Sequence, residues 1–533
     1  MTVDTRRGDG PQDELFDVAI VGYGPVGQAL ALALAQQGHR IAVIERWPAP
    51  FGLPRAVGLD HEVMRILQSL GVTQEFEPHT TLSQVYEWRN GSGERLVAFP
   101  GLDETGPSGW PAGPSFSQPT LERILSERVR NDHGGQVEVL LGMAVSGLSE
   151  SEDRVLLEAW PNSPDTASGT VRRIAARWVV GCDGAGSIVR QLMGATYEDI
   201  AFAADWLVVD LQPKDPARWS SELIQVCDPQ RPTTMVSGGP GRRRFEFMMH
   251  EGERKEDFNN AQAAWGLLER WGWTSANAVL ERHAVYTFRA CVADVWRRGR
   301  MMIAGDAAHL TPPFAGQGLC AGLRDAIALA WRLDLVLRGR AAEGLLDSYT
   351  DERRPHARAL IEFAVELGRI ICVLDPNAAR QRDARLRADA AELSQRKFPA
   401  PQLGASPLVR VADAQAGRLG RQGRVYQRGR IGRFDDLVGA GFVLIGDGHD
   451  PTDSLTSEQL AFLHRIGATS VGIGQGSSVR DIDGTYRRWF DELGCRAVLV
   501  RPDFYLYGAG EAPSLVGDLM AAFKDTTAQE RVA

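Results

Sequence analysis

The segment around residue 20 restricts the fold of this chain more than any other, because it reads strand, glycine-rich turn, helix and strand without interruption. Residues 16–21 (FDVAIV) are an apolar run typical of a buried strand, and the turn GYGPVG follows at residues 22–27. The Ala- and Leu-rich segment after the turn predicts a helix that ends at Gly38. Residues 41–44 predict a second strand, which ends in Glu45, an acid placed to accept hydrogen bonds from a ribose diol. This order predicts an α/β fold built on a parallel sheet.

Each residue of the turn has a physical role in holding a dinucleotide. Gly22 permits the tight turn, Gly24 lets the backbone approach a pyrophosphate, and Gly27 lets helix and strand pack closely. Pro25 and Val26 complete the turn, where the free N–H groups of the helix N-terminus attract phosphate. We therefore expect dinucleotide binding here, although this unit does not separate FAD from NAD. The alternative is a glycine-rich turn without a ligand.

A second cofactor signature lies far downstream. Residues 301–306 (MMIAGD) predict a buried strand that ends at Gly305-Asp306, and a helix begins after Gly318. The carboxylate of Asp306 can bind the ribityl hydroxyls of a flavin. The N–H groups around Gly318 and Leu319 can stabilise the negative charge near N1 and O2 of a reduced flavin ring. The alternative is a structural strand, loop and helix with a capping aspartate.

A third element, VVGCDGAGS, again places a strand before Asp183-Gly184 and a short helix. The three motifs in this order resemble the para-hydroxybenzoate hydroxylase-like (class A) flavoprotein monooxygenases over residues 1–370. The motifs SQP at residues 117–119 and ERRP at residues 352–355 agree. The stretches PRAVGLDHEVMRILQSLGV and GDAAHLTPPFAGQG are most similar to the 3-(3-hydroxyphenyl)propionate hydroxylase group. The resemblance implies a Rossmann-like FAD-binding domain interleaved with an antiparallel-sheet substrate domain.

The resemblance implies FAD as the cofactor and assigns residues to it. Glu45 and Arg46 are expected to hold the ADP half, and Arg55 and Gln118 to line the pyrophosphate side. Asp306 is expected to bind the ribityl chain. Arg55 is also expected to meet NADH or NADPH, a transient co-substrate, because the chain has no second G-x-G-x-x-G. The full set of expected FAD-binding residues is Gly22, Gly24, Pro25, Val26, Gly27, Glu45, Arg46, Arg55, Gln118, Asp183, Gly305, Asp306, Pro313, Gly316, Gly318 and Leu319.

The activity implied by the resemblance is the insertion of one oxygen atom of O2 into a phenolic ring through a flavin C4a-hydroperoxide. The substrate implied is similar to 3-(3-hydroxyphenyl)propionate, hydroxylated ortho to its phenol. Two alternatives stay open: an epoxidase or Baeyer–Villiger enzyme that acts on an aromatic polyketide or other natural product, and a flavoprotein that binds FAD without turnover. The protein must orient the substrate and favour its phenolate, while the flavin supplies the oxygen chemistry.

Five residues are candidates for catalysis. Pro313 is expected to lie against the reactive edge of the ring, and Tyr286 and Arg289 to line the substrate pocket. Asp60 and His61 follow Arg55 closely and are candidates for a proton relay, with capping or surface roles as the alternative. The run at residues 242–244 (RRR) can supply a cation for a substrate carboxylate.

The expected domain organisation follows from these motifs. The FAD-binding domain is predicted over residues 15–80, 116–194 and 286–375, and the substrate sheet over residues 81–115 and 195–285. Residues 1–14 are predicted to be a disordered tail, residues 376–405 a helical linker, and residues 406–533 a thioredoxin-like C-terminal domain.

Composition excludes several other classes of protein. The net charge is −9, from 68 acidic against 59 basic residues, so no footprint for nucleic acid is expected. The six cysteines form no C-x-x-C pair, so no zinc or dithiol site is expected, and no metal is assigned. Because no apolar run is long enough to span a membrane, we expect a cytoplasmic enzyme, and a homodimer is possible.

Overall fold

In the computed structural model, which describes residues 15–49, 52, 55–162, 170–395 and 400–528, the chain forms two large sheets and a smaller C-terminal α/β unit. The predicted disordered tail, residues 1–14, lies outside the described residues.

The regular elements are numbered in chain order. The strands are β1 (Leu15–Val21), β2 (Ile41–Glu45), β3 (Thr80–Leu82), β4 (Val85–Asn90), β5 (Arg95–Pro100), β6 (Pro114–Phe116), β7 (Val137–Leu141), β8 (Met143–Glu150), β9 (Val155–Pro161), β10 (Arg172–Gly181), β11 (Tyr197–Pro213), β12 (Leu223–Cys227), β13 (Thr233–Ser237), β14 (Arg243–Met248), β15 (Ala278–Ala293), β16 (Arg297–Arg298), β17 (Met301–Ile303), β18 (His309–Leu310), β19 (Arg424–Gln427), β20 (Arg430–Arg433), β21 (Val443–Asp447), β22 (Thr469–Ile473), β23 (Arg480–Asp481), β24 (Ala497–Val500) and β25 (Leu506–Gly510). The helices are α1 (Pro25–Gln36), α2 (His61–Ser69), α3 (Thr73–Phe76), α4 (Gln118–His133), α5 (Ile188–Leu192), α6 (Lys255–Phe258), α7 (Ala261–Glu269), α8 (Gly318–Leu337), α9 (Asp347–Ile371), α10 (Pro376–Ala388), α11 (Ala390–Leu393), α12 (Phe434–Leu437), α13 (Ser457–Ile466), α14 (Thr485–Leu493) and α15 (Ala512–Ala528).

The first sheet has the order β16-β17-β10-β1-β2-β7, and its central strands β17, β10, β1, β2 and β7 run parallel. Val18, Ala19 and Ile20 of β1 are all fully buried, which means that both faces of this strand are covered. The antiparallel strands β8 and β9 extend the sheet from β10. This arrangement confirms the predicted Rossmann-like α/β domain.

The second sheet has the order β18-β15-β11-β14-β13-β12-β4-β5 and is antiparallel except for the β12–β4 pair. One face packs on α7 through Phe245, Phe247 and Leu268. The other face turns towards the first domain. The predicted antiparallel substrate sheet is thus confirmed, but the boundary predicted at residue 285 falls inside β15, which continues to Ala293. An unbroken strand carries the chain from one domain to the other, so no loop marks the change.

The segment predicted as a linker is packed against the substrate sheet. Leu386 of α10 is buried in a cluster with Trp88 and Leu96 of the sheet. Arg382 donates a hydrogen bond to the carbonyl of Cys227 at the end of β12. The charged, helical composition that predicted a linker therefore belongs to helices that cover the sheet with one apolar face.

The C-terminal unit contains a four-stranded sheet with the order β22-β21-β24-β25. β21 pairs parallel with β22 and antiparallel with β24, and α13, α14 and α15 complete the unit. The thioredoxin-like assignment stays a prediction, with which this strand order is compatible. Within the described part of the chain, no helix is long and apolar enough to cross a membrane. No group of three or more His, Cys, Asp or Glu side chains is placed to hold a metal ion in the same residues.

Candidate active site

The glycine-rich turn joins β1 to α1 in a geometry that only glycine permits at two positions. Gly22 has a φ of +103° and donates its N–H to the carbonyl of Ile44 at 2.8 Å. A Cβ on Gly27 would lie 2.1 Å from the carbonyl oxygen of Gly22, so the helix rests directly on the turn. A Cβ on Gly24 would meet nothing within 4 Å, and no side chain caps the helix that begins at Pro25. The helix N-terminus therefore opens onto space in which a phosphate group fits.

The carboxylate of Glu45 is held at the end of β2, beside the turn. It accepts the N–H of Tyr23 at 2.8 Å and the N–H of Trp47 at 2.9 Å. A carboxylate can accept about four hydrogen bonds, so the capacity to bind a ribose diol remains. Arg46 is exposed and lies over the ring of Trp47, 5.3 Å from its centroid.

Gln118 supports the segment that carries Arg55. Its Oε1 accepts the N–H of Ala56 at 2.7 Å, and its Nε2 donates to Glu122 at 2.6 Å. Burial raises the pKa of Glu122, while the hydrogen bond from Gln118 and the charge of Arg55 oppose the rise. The Arg55 carbonyl also accepts a hydrogen bond from Arg244 of the substrate sheet. Arg55 itself is exposed at this junction of the two domains.

The second signature presents a carboxylate that no described residue uses. The N–H of Gly305 donates to Asp325 at 3.1 Å, and this bond helps to hold the turn after β17. No side chain or N–H in the described ranges donates to the Asp306 carboxylate, which is open to solvent on one side. Loss of water on the sides that the protein covers raises the pKa of the Asp306 carboxyl, and the charges of His309 and Arg55 oppose the rise. An acceptor of this kind fits the hydroxyl groups of a ribityl chain.

Helix α8 begins beside Asp306 without a capping side chain. Its N-cap, Gln317, makes no capping hydrogen bond, and no acid lies in the first turn. The N–H groups of Gly318 and Leu319 are therefore available to an electron-rich ring edge. Gly316, just before the helix, adopts a left-handed conformation with a φ of +64°.

Pro313 lies in a 3-10 turn, Pro313–Ala315, at the junction of the two domains. The next residue, Phe314, packs edge-on against Trp206 of the substrate sheet with ring centroids 5.7 Å apart. A flavin ring held by Asp306 and the start of α8 would thus have the substrate sheet beside it. The donors and acceptors present fit FAD, which supplies electron transfer between NAD(P)H and dioxygen when bound.

Asp183 follows β10 and caps the next helix. Its Oδ2 accepts the N–H of Ile188 at 2.7 Å and that of Val189 at 3.2 Å. Its Oδ1 is buried without a partner in the described residues, and burial raises the pKa of the carboxyl. The capping role is therefore present, and a cofactor contact stays a prediction.

The face of the substrate sheet that turns towards the FAD-binding domain is here named the sheet floor. Strand alternation and register bring its side chains together, because β11, β14, β13, β12 and β4 are successive neighbours and β15 lies beyond β11. The sheet floor consists of Trp88, Trp206, Val208, Asp210, Gln225, Thr234, Arg244, Glu246, Met248, Arg282, Ala284 and Tyr286.

Tyr286 and Arg289 do not share a surface. Tyr286 lies on the sheet floor, and its hydroxyl accepts a hydrogen bond from the buried guanidinium of Arg282. Arg289 is exposed and pairs with Asp199 at 3.2 Å. Because residues three apart on a strand point to opposite faces, Arg289 does not share the sheet floor with Tyr286, and its role in the pocket stays a prediction.

The three successive arginines after Gly241 are all engaged by protein groups. Arg242 pairs with Glu281 at 3.1 Å, and Arg243 donates to the carbonyl of Ser220 at 3.0 Å. Arg244 pairs with Asp210 through two bonds of 2.8 and 3.0 Å. The expectation that this run supplies a cation for a substrate carboxylate is therefore not supported by the geometry.

Asp60 is a helix cap and an ion-pair partner. It accepts the N–H of Val63 at 2.9 Å and a hydrogen bond from Arg324, which also donates to Gln317 at 3.1 Å. Burial would raise the pKa of Asp60, but Arg324 and His61 outweigh it and lower the pKa to about 2. A carboxylate that holds its charge so firmly is no proton acceptor at neutral pH. Asp60 therefore has the capping role that was the alternative to a proton relay. Its ion pair with Arg324 also holds the guanidinium that donates to Gln317 at the start of α8.

His61 is the first residue of α2 and lies against Gly106. Burial lowers its pKa, although the charges of Asp60 and Glu62 oppose the change. Its Nδ1 is buried without a hydrogen-bond partner in the described residues. The expected relay between Asp60 and His61 is not supported, since no hydrogen bond joins the two side chains in the described residues.

Replacing Asp60 with asparagine is expected to cost about 2 kcal/mol of stability at pH 7, because the cap survives and the charge is lost. The folded pKa lies below the usual value, so the contribution of Asp60 is present above about pH 4 and disappears as pH falls through about 2. Urea unfolding of wild type and Asp60→Asn at pH 7 and at low pH measures the difference in the free energy of unfolding. Asp132→Asn, on the exposed face of α4, is the matched control. Equal losses in the two variants at pH 7 would contradict the ion-pair account.

Glu246, Gln225 and Thr234 are polar residues of the sheet floor that the motifs did not reveal. The signal is present in the sequence RRFEFMM, where Glu246 separates two phenylalanines that pack on α7. Strand alternation therefore forces the glutamate onto the opposite face.

Comparison with known proteins agrees with this geometry. Residues 16–364 match the family model described as FAD binding domain, and residues 417–526 match the one described as HcaD C-terminal domain. A probable NADH-specific resorcinol 4-hydroxylase of Rhodococcus jostii (strain RHA1) is 37% identical over 525 residues, which cover 96% of either chain. A 3-(3-hydroxy-phenyl)propionate/3-hydroxycinnamic acid hydroxylase of Mycobacterium avium (strain 104) is 32% identical, over 97% of this chain and 93% of that one.

Two solved structures share the fold. The flavin-dependent monooxygenase PieE, in complex with FAD and substrate, has a TM-score of 0.81 at 21% identity over 96% of this chain and 99% of that chain. Aklavinone-11 hydroxylase, in complex with FAD and aklavinone, has a TM-score of 0.75 at 24% identity with the same coverage. The family match, the two hydroxylase relatives and the geometry of both cofactor motifs agree that the chain belongs to the class A flavoprotein aromatic hydroxylases.

Proposed function

We propose that this chain is an FAD-dependent monooxygenase that consumes NADH and adds one oxygen atom of O2 to the ring of a phenol. The observation that carries the proposal is the position of the sheet floor beside the second cofactor signature. Phe314 packs on Trp206 of the floor, and Arg244 of the floor donates a hydrogen bond to the Arg55 carbonyl. A ring held between Asp306 and α8 would therefore face a surface that can bind an aromatic substrate. NADH is favoured by the printed specificity of the Rhodococcus relative.

The test is to purify the protein with FAD and to follow oxidation of NADH and of NADPH in the presence of resorcinol, phenol or 3-(3-hydroxyphenyl)propionate. We expect one phenol to stimulate NADH oxidation, with a product heavier by one oxygen atom that comes from labelled O2. A product oxygenated outside the ring would replace this proposal with epoxidation or Baeyer–Villiger chemistry. NADH oxidation that yields hydrogen peroxide with every phenol would refute it.

Within the proposed function, we assign Tyr286 to the phenol oxygen of the substrate. The guanidinium of Arg282 donates to the Tyr286 hydroxyl, whose own proton is then directed away from Arg282. That proton can stabilise the charge that develops as the substrate becomes a phenolate. Arg282 is itself buried, so its charge acts with little screening by solvent.

Tyr286→Phe is expected to lower kcat/KM for the phenol by about 100-fold, since one positioned proton donor is lost. FAD content should stay unchanged, because Tyr286 lies on the sheet floor and not in the glycine-rich turn. Tyr426→Phe in the C-terminal unit is the matched control. An equal kcat/KM in Tyr286→Phe and wild type would remove Tyr286 from the reaction.

A homodimer and a cytoplasmic location stay predictions from the sequence. Size-exclusion chromatography with light scattering tests the first, and fractionation of the producing cells tests the second.

A further inference from the structure

Glu246 is a carboxyl group placed in the middle of the sheet floor by strand register. It belongs to β14, with Val208 of β11 opposite on one side and Thr234 of β13 opposite on the other. Phe245 and Phe247, its chain neighbours, are stacked 6.0 Å apart on the far face. Glu246 has no freedom to turn away from the floor, because a rotation of the strand would expose both phenylalanines.

The carboxyl group has no hydrogen-bond donor among the described residues. Arg244 Nη1 is the nearest cation that pairs with it, and the distance of 3.8 Å is too long for a hydrogen bond. The hydroxyl of Thr234 donates to Gln225 at 2.8 Å and not to Glu246. Only 9% of the Glu246 side chain is exposed. A carboxyl group that is nearly buried and unpaired costs free energy unless a ligand or water completes it.

Other polar groups of the sheet floor also lack partners. The indole N–H groups of Trp88 and Trp206 are buried and donate to no described residue. Together with Nε and Nη1 of Arg282, which are also buried without a partner among the described residues, they give the floor unused donors beside one unused carboxyl group. Such a set matches a ligand that both donates and accepts hydrogen bonds.

Both cations near Glu246 pair with Asp210, although Nε and Nη1 of Arg282 have no hydrogen-bond partner in the described part of the chain. Arg244 forms its two short bonds with Asp210, and Arg282 lies 3.6 Å from the same carboxylate. These two arginines balance Asp210 and Glu246, so the cluster of four has no formal net charge when both acids are ionised. A substrate carboxylate placed here would add a third negative charge to a region screened from water, which costs several kcal/mol.

Protonation of Glu246 would leave the cluster with one net positive charge, so the preference against a substrate carboxylate is expected while Glu246 is ionised. Burial raises its pKa and Asp210 adds to the rise, while Arg244 and Arg282 oppose it. A hydroxyl group can donate to the ionised carboxylate or accept from the neutral acid. A substrate carboxylate can pair only with the neutral acid, so the hydroxyl has a partner in both states.

We infer that Glu246 determines substrate choice, and that the site takes phenols with a second uncharged hydroxyl group, of the resorcinol class, in preference to phenols with a carboxylate side chain. The inference rests on the proposed function and deepens it. It departs from the 3-(3-hydroxyphenyl)propionate-like substrate that the sequence resemblance implies. Glu246 is here a residue that binds and selects the substrate.

The test uses the FAD-loaded enzyme and three probes: resorcinol, 3-(3-hydroxyphenyl)propionate, and its neutral counterpart 3-(3-hydroxyphenyl)propan-1-ol. Binding is read from the change in flavin absorbance without NADH, and turnover from kcat/KM. The alcohol and the acid have nearly the same size, so their difference reports charge. We expect wild type to bind resorcinol and the alcohol at least about 100-fold more tightly than the acid, as expected for like charges brought together.

Glu246→Gln is the variant, and Glu87→Gln is its matched control. Glu87 lies in β4 of the same sheet but on the opposite face, where it pairs with Arg89 at 2.6 Å. We expect Glu246→Gln to bind resorcinol about 10-fold more weakly and 3-(3-hydroxyphenyl)propionate about 10-fold more tightly, because a charged partner is replaced by a neutral one. Glu87→Gln should leave the dissociation constants of resorcinol and of the acid unchanged.

The inference is overturned if wild type binds the acid as tightly as the alcohol, or if Glu246→Gln changes the resorcinol-to-acid ratio less than threefold. If Glu246→Gln loses FAD, the comparison of the alcohol with the acid on the wild-type enzyme still tests the inference. Selective binding without an oxygenated product would refute the proposed function and leave the selectivity intact. If none of the three phenols changes the flavin absorbance, both the proposed function and the inference on Glu246 are overturned.

Discussion

Glu352→Ala is expected to lower the free energy of unfolding by about 3–5 kcal/mol, because it leaves two buried arginines with one carboxylate, Asp503, between them. Glu352 of α9 is fully buried and accepts hydrogen bonds from Arg332 of α8 and, at 2.6 Å, from Arg501 of the C-terminal unit. Arg501 also donates to Asp503 at 2.7 Å, and the indole of Trp331 donates to Asp503 at 3.0 Å. Two cations and two anions are thus balanced where the C-terminal unit meets the FAD-binding domain.

Urea unfolding of the FAD-loaded protein, followed by flavin fluorescence and by tryptophan fluorescence, measures the loss. Glu362→Ala is the matched control: Glu362 lies on the exposed face of the same helix and pairs with Arg358 at 2.9 Å. Because solvent screens that pair, its loss should cost no more than about 1 kcal/mol. Similar losses in the two variants would show that the buried cluster contributes no more than a surface pair.

The cluster also bears on the role of the C-terminal unit. Helix α8 carries the N–H groups assigned to the flavin at one end and Arg332 further along. Arg501 and Asp503 therefore bind the helix that supports the cofactor site. We expect Glu352→Ala to release FAD at a lower urea concentration than the control.

Gly24→Ala is expected to weaken FAD binding by about 100-fold while leaving the apoprotein as stable as wild type, since a methyl group takes space needed by a phosphate. The structure separates the two effects because a Cβ on Gly24 meets no protein atom within 4 Å. Gly27→Ala differs, because its Cβ would lie 2.1 Å from the Gly22 carbonyl and would push α1 off the turn. That variant should lose FAD and also about 1–3 kcal/mol of stability, as overpacked sites do.

FAD titration of the apoproteins and their urea unfolding distinguish these outcomes. Gly266→Ala in α7 is the control, since its Cβ also meets nothing within 4 Å and its position lies far from the glycine-rich turn in the chain. If Gly24→Ala binds FAD as tightly as wild type, the pyrophosphate does not lie against residue 24. Unchanged stability in Gly27→Ala would show that the turn tolerates a larger separation from α1.

Sequence reasoning was strongest where every part of a site is adjacent in the chain. The turn at residues 22–27 combines its strand, glycines and helix start within one short segment, so local conformation and helix electrostatics predict its function. Asp306 and the start of α8 form a second such segment. Both are placed as predicted, at the carboxyl ends of parallel strands, and the α/β fold is confirmed.

Sequence reasoning failed where a role depends on which side of an element a residue occupies. The resemblance places both Tyr286 and Arg289 in the pocket because they come just before the Gly305-Asp306 strand, yet strand geometry sends them to opposite faces. Asp60 was assigned to a proton relay because it follows Arg55 closely. Its partner, Arg324, is distant in sequence and close only in the folded chain.

The sequence by itself therefore determined the cofactor, the fold class and the family, because these depend on short motifs with local physical causes. The tertiary structure alone decided what surrounds the substrate. The sheet floor draws on six strands from β4 to β15, and their register puts Glu246 beside Val208 and Thr234. Long-range pairing also commits Arg244 and Arg282 to Asp210. A carboxyl group left without a donor is a property of that packing, since hydrogen-bond partners are chosen by distance in space and not by distance along the chain.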